Sequence, residues 1–152
     1  MTLRRVFTAA FALALLVAVA RAEEPQEDPK GGLFINLTTD DTWAAAKAIM
    51  FAHERVLKNG YAPVTIWLNV RGVYLADKNR ASHVHGLMRA DDASIHDMLA
   101  AFIADGGTVI ACQACAKAAG LGEGDLLDGV VMGSEELVLG LLFDPNVKTL
   151  SW

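Results

Sequence analysis

The sequence predicts an α/β fold, a three-layer α/β/α arrangement with a five-stranded parallel sheet. Short apolar runs, several of them rich in β-branched residues, alternate with longer stretches whose apolar residues recur at helical spacing. No internal repeat or low-complexity tract interrupts the alternation. Strands and helices that alternate at these lengths are typical of a parallel sheet whose right-handed crossovers place helices on both faces.

The first 22 residues are interpreted as a secretory signal peptide. A cationic start, Met1–Arg5, precedes the apolar run Val6–Ala20, which is short and alanine-rich for a membrane span. Ala20–Ala22 then provides a small-x-small cleavage site. Cleavage after Ala22 leaves 130 residues, enough for one domain with a hydrophobic core. We therefore expect a periplasmic protein, in an oxidising compartment, that is free of the membrane after cleavage.

The charge of the mature chain excludes some classes of partner. Removing Arg4, Arg5 and Arg21 changes the formal net charge at pH 7 from −5 to −8. An acidic domain without a lysine-arginine cluster is a poor candidate for binding nucleic acid or an anionic membrane surface. The polar stretch 23–32 is predicted to be a disordered leader, and residues 33–152 form the domain.

The first half of the domain is predicted as strand, helix, strand. Leu33–Leu37 is the first strand, and Thr38–Thr42 supplies N-cap residues for a helix that ends at Asn59–Gly60. The apolar side chains of that helix that we expect to face the core are Trp43, Ala46, Ile49, Met50 and Val56 or Leu57. Val64–Leu68, almost entirely apolar, is predicted to be a strand buried on both faces.

The second half continues the alternation after a weakly patterned stretch. Asp91–Ser94 is expected to open a helix that Gly106–Gly107 closes. The third strand is Thr108–Ala111, and the cysteine segment follows it directly. The last three predicted elements are a strand at Gly129–Met132, a helix from Ser134 through Phe143 and a strand at Val147–Trp152.

In open α/β proteins, sites form at the carboxyl edge of the sheet. Three segments are expected to meet there: 38–42 after the first strand, 69–73 after the second and 112–115 after the third. The candidate substrate-binding residues in the first two segments are Thr39, Asp40, Arg71 and Gly72. Arg71 could hold an anion or a thiolate, although a surface salt bridge explains it equally well. Dipole compensation at a helix start explains Asp40 without catalysis.

Cys112 and Cys115, the only cysteines of the chain, are the candidate catalytic residues. If Cys112 ends the strand or caps the next helix, free amides and the helix dipole favour its thiolate. Such positions lower a cysteine pKa from about 8.5 toward about 3.5–7.5. Cys115, one turn later, could resolve an adduct on Cys112 as a disulfide. A structural disulfide or two inert buried thiols remain alternatives.

No metal site or cofactor is predicted. The only histidines are His53, His83, His85 and His96, and their spacing is not that of a zinc or copper site. His83 and His85 would share one side of an extended segment, but the pattern around them is weak.

The domain resembles the DsrE/DsrF-like family, which includes TusD-like and YchN-like proteins, over about residues 33–152. The resemblance rests on TVIAC ending at Cys112, the spacing from Cys112 to Gly120, NVRGV at 69–73 and MGSEEL at 132–137. It implies the three-layer fold, assembly into trimers or hexamers, and a persulfide carried on Cys112. Cys115 has no counterpart in TusD-like members, and the well-understood relay members are cytoplasmic.

Three functions therefore stand as hypotheses. The first is a periplasmic sulfur carrier or sulfurtransferase, with donor and acceptor proteins or small thiols as its partners. The second is a thiol-disulfide redox protein in which Cys112 attacks and Cys115 resolves. The third is a non-enzymatic oligomeric binding module whose cysteines act as a staple.

Overall fold

A computed structural model describes residues 30–80 and 93–152. Its core is a five-stranded sheet in the order β4-β3-β2-β1-β5, and every neighbouring pair is parallel. The strands are β1 (Gly32–Leu37), β2 (Val64–Leu68), β3 (Thr108–Ala111), β4 (Val131–Met132) and β5 (Val147–Ser151). The helices are α1 (Thr42–Met50), α2 (Ile95–Ala104), α3 (Gln113–Ala118) and α4 (Glu135–Leu142). The predicted fold class is confirmed.

Helices cover both faces of the sheet. On one face, Ile35, Ile66 and Val109 pack in a single core cluster with apolar side chains of α1 and α2. On the other face, the Phe34 and Trp67 rings lie 5.8 Å apart, centroid to centroid. The α4 helix lies over this second face, where its Val138 side chain joins Trp67 in lining a surface cleft. Successive side chains of each central strand therefore point to opposite faces of the sheet and pack against the helices on that face.

The helix after β1 starts and ends as predicted, but one side chain predicted to face the core, Trp43, is exposed. Asp41 caps it by accepting a hydrogen bond from the Ala44 N–H at 2.8 Å. After Met50 it continues as a π-helical segment, Phe51–Val56, and a 3₁₀ turn, Leu57–Asn59, that ends at Gly60 with φ of +81°. Trp43, expected in the core, is 51% exposed, because the first turn lies where a cleft opens between the helix and Trp152.

Two strand boundaries also differ from the prediction. β1 begins at Gly32, and Gly31 bridges to Ala62, so ordered pairing extends into the stretch expected to be leader. β4 contains two residues instead of four, because Gly129 adopts a φ of +83° and turns the chain before the strand. Residues 81–92, which include His83, His85, Asp91 and Asp92, lie outside the described residues, as do the predicted signal peptide and most of the leader.

The carboxyl ends of the three central strands meet, as predicted. The Asn69 N–H donates to the Leu37 carbonyl at 2.9 Å, and the Cys112 N–H donates to the Leu68 carbonyl at 2.9 Å. The Arg71 N–H reaches the Thr38 carbonyl at 3.2 Å. These bonds fix the segments after β1, β2 and β3 side by side. Across the two described ranges, no helix is both long and apolar enough to cross a membrane.

Candidate functional site

Cys112 occupies the corner between β3 and α3. The strand ends in the fully buried Ala111, and Cys112 is the N-cap of α3. Its Sγ accepts a hydrogen bond from the Cys115 N–H at 3.3 Å, which satisfies one of the free amides at the helix start. The helix ends at Ala118, and Gly120 follows its C-cap with a φ of +77° that suits glycine. The predicted capping position of Cys112 is confirmed.

The predicted fall in the pKa of Cys112 is wrong for the free thiol. Partial burial is the largest cause of a raised pKa at Cys112, and the hydrogen bond with the Cys115 side chain adds to it. The backbone N–H groups of Cys115 and Ala114 lower the pKa, but by less. The helix that begins here has only six residues, so the dipole that should favour the thiolate is small. Cys112 is therefore protonated at neutral pH until a reaction partner removes the proton.

Cys115 is held by the loop after β2. Its Sγ donates to Asn69 Oδ1 at 3.2 Å and accepts from the Val70 N–H at 3.3 Å. The Asn69 amide in turn donates from Nδ2 to Asn36 Oδ1 at 3.2 Å. A line of hydrogen bonds thus runs from β1 through Asn69 to the second thiol. Both cysteines are half-buried free thiols.

Val70 carries the backbone strain of this loop. Its φ is +50°, the left-handed region, which is costly for a β-branched residue and stores about 1–3 kcal/mol. Its side chain is exposed, so packing does not explain the conformation. The strained geometry directs its N–H to both Asn69 Oδ1, at 2.9 Å, and Cys115 Sγ. The conformation therefore serves to hold Cys115.

The two thiols line different clefts. A cleft of about 310 Å³ at Cys112 is lined by Trp67, Gln113, Ala114, Gly133, Ser134, Glu135, Val138 and Leu139. A second cleft of about 310 Å³ at Cys115 is lined by Val70, Arg71, Tyr74, Ala118 and Ala119. No residue lines both. The indole Nε1 of Trp67 is buried and has no hydrogen-bond partner in the described part of the chain.

Arg71 and Asp40, two of the predicted binding residues, form a bidentate ion pair. Arg71 Nε and Nη2 each lie 2.8 Å from a carboxylate oxygen of Asp40, and Arg80 Nη2 also lies 2.8 Å from Oδ2. Hydrogen bonding to Arg71, and then to Arg80, lowers the pKa of Asp40 to about 2, against the opposing effect of burial. Both guanidinium groups lie over the Tyr74 ring, at 5.6 and 5.0 Å from its centroid.

The other two predicted binding residues lie near the site but line neither thiol cleft. Gly72 is buried, and a Cβ there would lie 2.2 Å from the Leu37 carbonyl oxygen. It allows the loop after β2 to pack directly against the end of β1. Thr39 Oγ1 accepts from the Asp41 N–H at 3.0 Å, beside the cap of α1.

Sequence reasoning missed Arg80 and Trp67. Arg80 follows a stretch without helical or strand periodicity, so no pattern connects it to Asp40, 40 residues earlier. Trp67 was assigned to β2, and only the packing of the second face reveals that it lines the Cys112 cleft.

The described histidines, His53 and His96, line neither cleft. His53 is buried and its Nε2 lies 2.6 Å from Asp105 Oδ2. His96 Nε2 is buried, with no partner among residues 30–80 and 93–152. Over the same ranges, no group of three or more His, Cys, Asp or Glu side chains could hold a metal ion.

Three solved structures from different organisms share this fold. YchN from Escherichia coli aligns with a TM-score of 0.61 at 17% identity, covering 80% of this chain and 99% of that one. BT1422 from Bacteroides thetaiotaomicron gives 0.58 at 19% identity, covering 80% and 95%. MTH1491 from Methanobacterium thermoautotrophicum gives 0.55 at 17% identity, covering 80% and 99%. Identities this low establish the fold alone.

Sequence-level comparisons give a family. Curated protein sequences contain no match to the chain. The model of the DsrE/DsrF-like family matches residues 33–142, which is most of the domain and includes both cysteines and the loop after β2. The chain therefore belongs to the DsrE/DsrF-like family, whose members are generally related to sulfur relay.

Proposed function

We propose that this protein is a periplasmic sulfur carrier that holds sulfane sulfur as a persulfide on Cys112. The observation that carries the proposal is the position of Cys112, half-buried at the β3–α3 corner, lining a cleft and facing the Cys115 N–H at 3.3 Å. The cleft offers room for one added sulfur atom, and the N–H offers a donor to it. Membership of a family related to sulfur relay supports the same function.

The transfer balances without an external oxidant or reductant. Cys112 Sγ attacks the outer sulfur of a donor persulfide, the donor S–S bond breaks, and the Cys112 proton passes to the departing donor thiolate. Burial raises the pKa of Cys112, so the thiol must lose its proton for the transfer to proceed. An acceptor thiolate then removes the outer sulfur and leaves Cys112 reduced. Donor and acceptor are proteins or small thiols.

The Cys112 cleft holds a second feature that suits a sulfur anion. The Trp67 Nε1–H is a buried donor without an acceptor among the described residues, and such a group costs free energy until it is satisfied. Trp67 lines the same cleft as Cys112. Because Nε1 is itself buried, an anionic ligand in the cleft can accept from it only after the indole shifts.

Intact masses test the proposal. The protein recovered from the periplasm is treated with a polysulfide donor, as wild type, Cys112→Ser and Cys115→Ser. We expect an increase of about 32 Da per sulfur that requires Cys112 and persists without Cys115. The untreated mass should correspond to a chain that begins at Glu23. A protein that only loses two hydrogens, with no sulfur added to either variant, contradicts the carrier.

A thiol-disulfide redox function is the second candidate. The Cys115 N–H donates to Cys112 Sγ at 3.3 Å, which places the two cysteines beside each other at the start of α3, as a reacting pair requires. In that case Cys112 attacks a partner disulfide and Cys115 displaces the partner. Loss of two hydrogens by the wild type, together with no sulfur added to Cys115→Ser, is the result that favours this function.

We further propose that the protein assembles into trimers or hexamers through α4 and its surroundings. No residue of α4 is buried, although the helix is mostly apolar. The exposed apolar side chains of this region are Val131, Leu137, Leu139, Leu142 and Phe143, the last 77% exposed. Exposed patches of this kind mark association surfaces.

Light scattering tests the assembly. We expect a mass three or six times that of the mature chain, falling to the monomer mass in Phe143→Ser, with Lys117→Ser as an exposed control on α3 that leaves it unchanged. A monomeric wild type contradicts this proposal and leaves the carrier function open.

A further inference from the structure

The cleft beside Cys115 differs from the Cys112 cleft in its charge. Arg71 lines the Cys115 cleft, whereas the charged residue that lines the Cys112 cleft is Glu135. We propose that the Cys115 cleft binds the anionic end of a small thiol or disulfide, so that Cys115 reacts selectively with negatively charged low-molecular-weight sulfur compounds. This inference does not depend on whether Cys112 carries sulfane sulfur.

Although the domain is acidic, the ion-paired group of described residues that includes Arg71 has a positive net charge. Arg71 and Arg80 share one carboxylate, that of Asp40, so the group carries a net charge of +1. Asp40 uses Arg71 Nε and Nη2, and the guanidinium Nη1 takes no part in that pair. The Arg71 side chain is 65% exposed. A guanidinium with free donors at the wall of a cleft binds carboxylate or sulfonate groups well.

The guanidinium groups are held in place before a ligand arrives. The bidentate contact with Asp40 fixes the plane of Arg71, and the Tyr74 ring lies under both Arg71 and Arg80. Stacking on an aromatic ring and pairing with a carboxylate both restrict the side-chain rotamers. Fewer rotamers are then lost on binding, which favours affinity.

The size of the cleft restricts the ligand to a small molecule. About 310 Å³ is at the lower limit for small-molecule sites. Beside Cys115, the cleft is lined by the short side chains of Ala118, the last residue of α3, and Ala119. A compound with a sulfur at one end and an anionic group a few bonds away fits a thiol and a guanidinium that line one cleft.

Reaction rates with disulfides of different charge test this site. In Cys112→Ser, the Cys115 thiolate attacks one sulfur of a symmetric disulfide, a mixed disulfide forms and one thiolate leaves. The probes are 3,3′-dithiodipropionate (anionic), 2-hydroxyethyl disulfide (neutral) and cystamine (cationic). For each probe, the rate of reaction with Cys115 is divided by the rate at which the same probe reacts with N-acetylcysteine. This ratio removes the intrinsic reactivity of the probe. We expect the anionic probe to exceed the neutral one by about tenfold at low ionic strength, and the cationic probe to be slowest.

Two controls distinguish an effect of Arg71 and Arg80 from an effect of the overall charge of the protein. Cys115→Ser, which reports on Cys112, should show no preference for the anionic probe. In the Cys112→Ser background, Arg71→Gln with Arg80→Gln should abolish the preference, while Arg71→Lys should retain part of it. These variants also alter the Asp40 ion pairs. The Cys112→Ser protein with both arginines intact is therefore measured at increasing salt concentration, which should reduce its preference for the anionic probe.

Either of two results would contradict the proposal for the Cys115 cleft. If the three ratios to N-acetylcysteine are equal, or if the anionic probe has the smallest ratio, as the negative net charge of the chain would produce alone, the proposal is wrong. Because sulfur loading of Cys112 is measured separately, by mass, a failure here leaves the carrier function untouched.

Discussion

Replacing Gly72 with alanine is expected to cost the domain about 3 kcal/mol of unfolding free energy, the upper end for overpacked sites. The new Cβ would lie 2.2 Å from the Leu37 carbonyl oxygen and 3.2 Å from the carbonyl carbon. Both are backbone atoms of β1, so no side-chain rotation relieves the clash. The 3₁₀ segment Val70–Ala76 must instead move away from the sheet.

Urea denaturation of Gly72→Ala and wild type measures this cost. Gly124→Ala is the matched control, because a Cβ at Gly124 meets no atom within 4 Å, and we expect its stability to change by less than about 0.5 kcal/mol. Gly72 N–H also bonds to the Asn69 carbonyl at 2.8 Å, so the shift should disturb the hold on Cys115. Equal stability of the two variants would contradict the close approach of the loop to β1.

Replacing Cys115 with serine is expected to lengthen the lifetime of a persulfide on Cys112 by about tenfold or more. In the loaded protein, the Cys115 thiolate can attack Cys112 Sγ, which releases hydrosulfide and leaves a Cys112–Cys115 disulfide. No other thiol exists in the chain to perform this step. Serine cannot perform it, so the sulfur remains until an acceptor arrives.

Sulfide release from loaded protein, without acceptor, measures the effect. Wild type should release one sulfide per persulfide and lose its free thiols in parallel, whereas Cys115→Ser should release almost none. Ala118→Ser, which adds a hydroxyl group to the same cleft and keeps both thiols, should behave as wild type. Equal release from Cys115→Ser and wild type would show that Cys115 does not resolve the persulfide.

The order of the elements was predictable because local signals agree with the final packing. Val64–Leu68 is apolar on both faces because helices cover both faces of β2. Cys112 directly follows the buried strand Thr108–Ala111, which places it at the carboxyl edge whatever the details of the turn. Short-range patterns of this kind require no knowledge of distant residues.

The charge and burial at the site were less predictable because they depend on distant residues. The direction of the pKa shift at Cys112 reflects burial and the Cys115 thiol, which outweigh a six-residue helix. The Arg80–Asp40 contact joins residues 40 positions apart and follows no periodic pattern. The two clefts are separate because different elements form them with α3. Residues of α4 line the Cys112 cleft, whereas the loop after β2 lines the Cys115 cleft.

The strand order has a consequence for how the domain folds. β1 is the first of the described strands, yet it pairs with β5, the last of them, and the Thr38 hydroxyl donates to the Trp152 carbonyl 114 residues away. Parallel pairing over such a separation is slow, since the chain loses loop entropy before the contact forms. One side of β1 therefore stays unpaired until residues 147–151 are available, and the sheet is completed only after the whole domain has been synthesised.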